Sequence, residues 1–252
     1  MESAERLRTL IARLRTTEHV SVAELAAETG CSEMTIRRDL DQLAEQGVLR
    51  RVRGGAVSLL LRGEATPYAV RTREGAEVKG RMAEAVDGLL ADGETLILDS
   101  GTTTLAVARR IAGRRLTVVP MDLHVANALS AAPGVKLLLP GGQVEPGSLV
   151  FTGHLAETAL RSLRVDTLVM GVCGLSPLDG VTAHDLAEVP VKRAAIASAR
   201  RVVVVCDGGK FTRTGLGHVC AAGALDLVIT DPSAPEEALT RLADEGVAVK
   251  IV

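Results

Sequence analysis

The chain's densest run of chemically active side chains is Asp99-Ser100-Gly101-Thr102-Thr103-Thr104. It follows the apolar run Thr95-Leu-Ile-Leu and precedes a helical pattern from Leu105 to Ile111. Ser100, Thr102, Thr103 and Thr104 offer hydroxyls, and Gly101 lets a ligand come close to the backbone. A helix starting there adds free N–H groups and a partial positive charge, so the segment suits a phosphate. It contains neither a Walker loop nor Gly-x-Gly-x-x-Gly, so nucleotide hydrolysis is not indicated. The same residues also fit an ordinary Ser/Thr helix cap.

Other polar clusters follow apolar runs in the same way. Pro140-Gly141-Gly142 follows one, Gly171-Val-Cys-Gly174 another, and Cys206-Asp207-Gly208-Gly209-Lys210 a third. Asp185, Glu188 and Lys192 open a helical pattern, although Glu188 and Lys192 at i,i+4 could simply pair on a surface. Arginine is the usual cation here, and the only lysines are Lys79, Lys136, Lys192, Lys210 and Lys250. A lysine kept against that background suggests a compact ammonium with a purpose, and Lys210 is the foremost candidate anion ligand. Asp99, Asp207 or Glu188 could instead serve as the carboxylate base of a sugar-phosphate isomerase.

These clusters need elements to position them. From residue 76 onward, apolar runs alternate with helical periodicity. Strands are expected at Thr95–Asp99, Leu116–Val119, Val135–Leu139, Thr167–Val172, Arg201–Cys206, Leu227–Thr230 and Val247–Ile251. Helices are expected at Val78–Leu90, Leu105–Ile111, Leu123–Leu129, His154–Leu163, Asp185–Ala199 and Glu236–Ala243. Near-continuous apolar strands between helices imply an α/β domain with a mainly parallel sheet. Ligands in such sheets sit beyond the carboxyl ends of the strands, where the polar clusters fall.

The N-terminal stretch has a different chemistry. Ser32 suits an N-cap, and Ile36, Leu40 and Leu43 at i, i+4 and i+7 form one buried stripe. Met34 and Arg38 point away from that stripe, flanked by Thr35, Arg37 and Gln42. A helix anchored on one side and offering Arg and Thr on the other suits a DNA major groove. Before it, Ser21 and Glu24 fit a capping box and Gly30 a helix stop. A first helix, about Glu5 to Arg15, carries Leu7, Leu10, Ile11 and Leu14. After it, Val48–Arg53 and Ala56–Leu60 read as two strands about Gly54-Gly55, with Arg50, Arg51 and Arg53 on the wing. The order is a winged helix-turn-helix whose partner is double-stranded DNA. Charge adds little: five arginines (Arg37, Arg38, Arg50, Arg51, Arg53) face Asp39, Asp41 and Glu45, a local net of +2.

These motifs resemble a known family. Residues 6–60 are similar to the N-terminal domain of DeoR-family bacterial transcriptional regulators. The hallmark Thr-Ile-Arg-Arg-Asp-Leu stands at Thr35–Leu40 and the Gly-Gly-Ala wing at Gly54–Ala56. The second half resembles the family's sugar-phosphate-sensing domain, related in fold to ribose-5-phosphate isomerase and CoA transferases. That likeness rests on Asp99–Thr103, Gly141-Gly142, Asp185…Glu188…Lys192 and Asp207…Lys210. The resemblance implies a regulator, usually a repressor of a carbohydrate operon, that binds operator DNA as a homo-oligomer (dimer or tetramer). It implies relief by a phosphorylated effector, with no cofactor and no catalytic residue. Two departures stand out. Pro120-Met121 replaces the family's frequent Thr-Asn, and Gly208-Gly209 replaces Ser-Ser in Asp-Ser-Ser-Lys. They imply a kept anion subsite with an altered hydroxyl-reading part. A regulator with no small-molecule effector stays open beside the isomerase reading.

Composition sets the bounds. At 252 residues two domains are expected: residues 1–60 for DNA, a linker at 61–75 that holds Gly63 and Pro67, and residues 76–252 for the effector. With no Trp, one Tyr and two Phe the core is aliphatic, and base stacking on aromatic platforms is excluded. The net charge of −2 leaves only a local face to attract DNA. No signal peptide or apolar span is evident, so a cytoplasmic protein without membrane attachment is expected. Cys31, Cys173, Cys206 and Cys220 form no Cys-x-x-Cys, and His218-x-Cys220 is a single pair, so no metal site is expected.

Overall fold

A computed structural model of the chain describes residues 3–45, 48–58 and 68–252. The chain divides into two compact units between Arg73 and Glu74. The first holds α1 (Ser3–Thr16), β1 (His19–Ser21), α2 (Val22–Thr29), α3 (Glu33–Glu45), β2 (Leu49–Val52), β3 (Gly55–Ser58) and α4 (Tyr68–Arg73).

The local signals act as their chemistry dictates. The Ser21 hydroxyl accepts the Glu24 N–H, and the Glu24 carboxylate accepts the Ser21 N–H, so the capping box starts α2. Gly30 ends α2 at φ 66°. Leu10, Leu14, Leu25, Ile36, Leu40 and Leu43 meet in one aliphatic core. The wing is a three-stranded antiparallel sheet in the order β1-β3-β2. Strand β1 was not expected, because three residues leave no alternation to read. Gly55 is fixed by that strand: a Cβ there would stand 2.1 Å from the Val20 carbonyl oxygen. Gly47, Leu59 and Leu60, expected in or beside the wing, lie outside the described residues, as do positions 61–67 of the expected linker. Its remainder is not structureless. Residues Tyr68–Arg73 form α4, too short for a helical period to show.

The second unit runs α5 (Ala76–Asp87), β4 (Thr95–Leu98), α6 (Thr102–Ile111), β5 (Leu116–Pro120), α7 (Leu123–Leu129), β6 (Val135–Leu137), β7 (Gln143–Val144), β8 (Phe151–Thr152), α8 (Gly153–Ser162) and β9 (Val165–Gly171). It continues β10 (Gly174–Ser176), β11 (Gly180–Ala183), α9 (Glu188–Ser198), β12 (Ala199–Val205), β13 (Gly217–Cys220), β14 (Leu227–Thr230), α10 (Glu236–Asp244) and β15 (Ala248–Ile251). Seven strands form one sheet in the order β15-β14-β12-β9-β4-β5-β6, with every neighbouring pair parallel.

Alternation along the strands divides the core in two. Leu96, Leu98, Val169, Val203 and Val205 pack with Met82, Val107, Ile111 and Leu129 from α5, α6 and α7. Ile97, Leu168, Met170, Val202 and Val204 pack with Leu160, Val191, Ala195 and Leu242 from α8, α9 and α10. The result is helices on both faces of a central sheet. Two small antiparallel sheets, β7-β8 and β10-β11-β13, were not expected; their strands are two to four residues long. The helix read as starting at Asp185 begins at Glu188. Among the described residues no helix is long and apolar enough to cross a membrane.

The sheet order places a candidate crevice. From β4 the chain adds β5 and β6 toward one edge, whereas β9, β12, β14 and β15 extend to the other. The direction reverses between β4 and β9, and the crevice beyond their carboxyl ends is where such sheets take ligands.

Candidate functional site

Helix α3 presents the DNA-facing candidates. The Ser32 hydroxyl accepts the Thr35 N–H at 3.2 Å and lies 2.9 Å from the Thr35 hydroxyl, so both serve the helix start. Met34 is 61% exposed, a large apolar side chain held in solvent opposite the Ile36–Leu40–Leu43 stripe. Arg37 pairs with Glu33 across one helical turn. Arg51 is committed too: it pairs with Asp41 at 2.7 Å and donates to the Gly55 carbonyl at 2.6 Å, tying the wing to α3. Arg38, Arg50 and Arg53 are exposed and carry no ion pair or side-chain hydrogen bond among the described residues. Gly54 turns the wing at φ 78°.

One member of the hallmark hexapeptide does not face outward. Asp39 is buried, and both its oxygens take the Arg6 guanidinium, at 2.5 and 3.2 Å. The pair locks α1 against α3. The hydrogen bond that Arg6 donates to Asp39 raises the Arg6 pKa further. Asp39 therefore leaves the local charge count, and the surface between Thr35 and Gly55 sets five arginines against Asp41 and Glu45, a local net of +3.

In the second unit, Ile97 faces the α9 side of the sheet, so Asp99 two residues on emerges on that side. There its Oδ2 meets the Lys192 ammonium at 2.5 Å and accepts the Gly171 N–H at 3.0 Å. Lys192 also lies 3.8 Å from Glu188 and 3.4 Å from the Gly171 carbonyl. Asp99 and Lys192 are both buried, which makes the pair an internal ion pair and not a surface one. Burial works to lower the Lys192 pKa, but the carboxylates of Asp99 and Glu188 outweigh it and hold the ammonium above its ordinary value. The other Asp99 oxygen, Oδ1, is buried with no partner.

The anion candidates lie beside this pair. Gly101 precedes α6 at φ 126°, and no side chain caps the helix. The Thr104 hydroxyl is used up on the Gly101 carbonyl. Those of Ser100, Thr102 and Thr103 have no hydrogen-bond partner among the described residues. Gly171 abuts this loop, and a Cβ there would stand 3.0 Å from the Ser100 carbonyl. The remaining candidates stand farther along the sheet edge. Asp207 accepts the Gly209 N–H in the short turn that carries half-buried Lys210 beyond β12. Gly208 is required there, since a Cβ would meet the Ser233–Ala234 backbone at 2.3–2.4 Å. Gly141 and Gly142 follow edge strand β6, and Gly142 packs on Thr152 and Ala156. Asp185 is exposed and accepts the Ala187 N–H.

Sequence reading missed Asp122. It caps α7, is fully buried, and accepts the Val125 N–H at 2.6 Å and the Gly101 N–H at 3.0 Å. Burial pushes its carboxyl up to about 6; the backbone N–H groups of Val125 and Gly101 oppose that, and the Asp99 charge reinforces it. An Asp between an apolar strand and a helix was the available signal. Met121 beside it is core, with its carbonyl accepting the Phe151 N–H. All four cysteines are free thiols.

Comparisons with known proteins match both units to one family. Residues 6–60 match the DeoR-like helix-turn-helix domain and residues 74–232 the DeoR C terminal sensor domain. The Glycerol-3-phosphate regulon repressor of Escherichia coli (strain K12) is 31% identical over the whole of both chains. Transcriptional repressor AccR of Agrobacterium fabrum is 32% identical, over 88% of this chain and 87% of its own. HTH-type transcriptional repressor GlcR of Bacillus subtilis (strain 168) is 30% identical, over 98% and 95%. Among solved structures, the sorbitol operon regulator SorC from Klebsiella pneumoniae aligns over 96% of this chain and 99% of its own, with 13% identity and a TM-score of 0.44. Ribose 5-phosphate isomerase A from Methanocaldococcus jannaschii covers 54% of each chain at 14% identity and a TM-score of 0.40.

Proposed function

The chain belongs to the DeoR family and is a transcriptional repressor; from that premise we propose that it represses a carbohydrate catabolic operon and is released by a phosphorylated small molecule. The observation that carries the effector reading is the crevice where the sheet order reverses. An uncapped helix start and three unbonded hydroxyls lie there, beside a buried ion pair. Phosphate oxygens would take the first N–H groups of α6 and the hydroxyls of Ser100, Thr102 and Thr103. Lys210 would supply a cation from the next strand end but one. Gly141, Gly142, Asp185 and Asp207 stay in the proposal as the outer rim. Asp99 serves as a fixed charge beside the ligand, not as a base, so the chain acts as a regulator without turnover.

For DNA, α3 enters the major groove with Thr35 and Arg38 on the bases, while Arg50 and Arg53 take phosphates. Ser32, Met34 and Arg37 border that surface, and Arg51, Gly54 and Gly55 shape the wing. Two copies would present two such helices to half-sites about one DNA turn apart. Effector binding changes that spacing at a coupling of about 1–3 kcal/mol, roughly 5–150-fold in operator affinity.

Fluorescence anisotropy on DNA from the gene's own upstream region, with a panel of sugar phosphates added, tests this. Arg38→Ala should lose specific DNA binding and keep the effector; Lys210→Ala should bind DNA and ignore the effector. Specific binding that no phosphate ester weakens would remove the effector from the proposal and leave the repressor.

A further inference from the structure

Three carboxylates gather at this crevice against one buried ammonium. Asp99, Glu188 and Lys192 form the chain of contacts already described, and Asp122 stands on the other side of the β4–α6 loop. Asp122 differs from the others because its partners are backbone. One oxygen holds Val125 at the start of α7, and the other holds Gly101 at the start of α6. A single buried carboxylate thus ties together the first turns of two neighbouring helices, one of which is the proposed anion loop.

That tie has a cost for an anion. The Gly101 N–H belongs to the backbone that would face a phosphate, and Asp122 occupies it. A dianion at the α6 start would also add negative charge close to a carboxylate that water does not reach. The charged groups around Asp122 give little relief. Asp99 lies across the loop at the end of β4, with Lys192 and Glu188 behind it on α9. His124 follows on its own helix. Glu145 stands on the strap that pairs with it through Val150, and that carboxylate takes the Thr152 hydroxyl.

We propose that Asp122 is the positioning residue of the anion loop and the group that takes up a proton when a tetrahedral dianion binds there. One proton enters from the solvent for each anion bound. It neutralises the carboxylate, weakens the oxygen's hold on the Gly101 N–H, and turns that donor toward the ligand. Burial already sets Asp122 near the pH at which such uptake costs least, with its carboxyl at about 6. The inference rests on the effector reading of this loop.

The probe is inorganic sulfate, a tetrahedral dianion that does not titrate between pH 5 and 8, so any proton taken up belongs to the protein. Full-length protein is titrated calorimetrically at constant ionic strength, at pH 5.5, 6.5 and 7.5, in two buffers of different ionisation enthalpy. One proton per sulfate is expected at the upper pH values, with affinity falling toward about tenfold per pH unit above the Asp122 titration. Asp122→Asn and Asp122→Ser should bind sulfate with no proton uptake and with a flat pH profile, the serine keeping the α7 cap. Sulfate binding by the wild type without proton uptake overturns the role of Asp122 and leaves the anion loop standing. Uptake that persists in either variant does the same, assigning the proton to another group. No sulfate binding at any pH overturns both. The wild-type proton count decides the matter if a variant does not fold.

Discussion

Asp39 sits in the middle of the DNA-reading hexapeptide, yet its substitution should act through the fold. The Arg6 and Asp39 side chains are 11% and 9% exposed and are joined by two hydrogen bonds of 2.5 and 3.2 Å. Asp39→Ala leaves a guanidinium in a nearly dry site between α1 and α3, and losing one partner of such a pair costs about 3–5 kcal/mol. A helical unit of this size has roughly 3–5 kcal/mol to lose. The variant should therefore melt the N-terminal unit near room temperature and leave the second unit folded. Two calorimetric transitions should become one, and operator binding should vanish with the lost transition. Asp39→Asn keeps an acceptor and should cost less, about 1.5–3 kcal/mol. The double variant Arg6→Met, Asp39→Leu replaces the pair with apolar side chains of similar reach, so folding and DNA binding should return together. If Asp39→Ala melts within about 1 kcal/mol of the wild type but no longer binds operator, Asp39 contacts DNA directly and the reasoning fails.

Three further outcomes follow from the geometry. Gly55→Ala would drive a Cβ to within 2.1 Å of the Val20 carbonyl, so the β1–β3 pairing should open. Loss of slow amide exchange at Val20 and Ala56 would show this, and unchanged exchange would refute it. Lys192→Met strands Asp99 in the sheet interior and should cost the second unit about 3–5 kcal/mol in urea. A loss below about 1 kcal/mol would mean that the crevice is wet enough to solvate the carboxylate. Asp122 has a folded carboxyl raised from 3.8 to about 6. Its contribution is therefore full below the unfolded value and is lost as pH rises through about 6. Relative to Asp122→Asn, the wild type should lose about 2.4 kcal/mol between pH 4 and 7. A stability difference that is flat across that window would show that the carboxylate is solvated.

What the sequence made legible, and what it hid, divides by the range of the interaction. The capping box at Ser21, the stop at Gly30 and the Ile36–Leu40–Leu43 stripe are local, and each appears where its spacing puts it. The seven parallel strands were readable because burial on both faces makes their sequences continuously apolar. The small sheets were not, since β10, β11 and β13 each have four residues or fewer, too short for an alternation to show, and β13 pairs with β11 across the intervening α9 and β12. Side-chain roles follow the same rule. Asp99 and Lys192 were both singled out as ligand candidates, but their pairing spans 93 positions, and nothing in either neighbourhood announces it. Arg6 and Asp39, 33 positions apart, were read respectively as unremarked and as one more surface acid. Asp122 is the sharpest case. Its local context is an ordinary helix cap, and its second hydrogen bond reaches back 21 residues to the loop that is proposed to bind the anion. The departures Pro120-Met121 drew attention to missing polar side chains, while the adjacent residue held a buried charge. A crevice with three carboxylates and one buried lysine is a poor host for a free dianion. On the proposed reading, recognition there would depend on backbone N–H groups, on Lys210, and on the proton that Asp122 can accept.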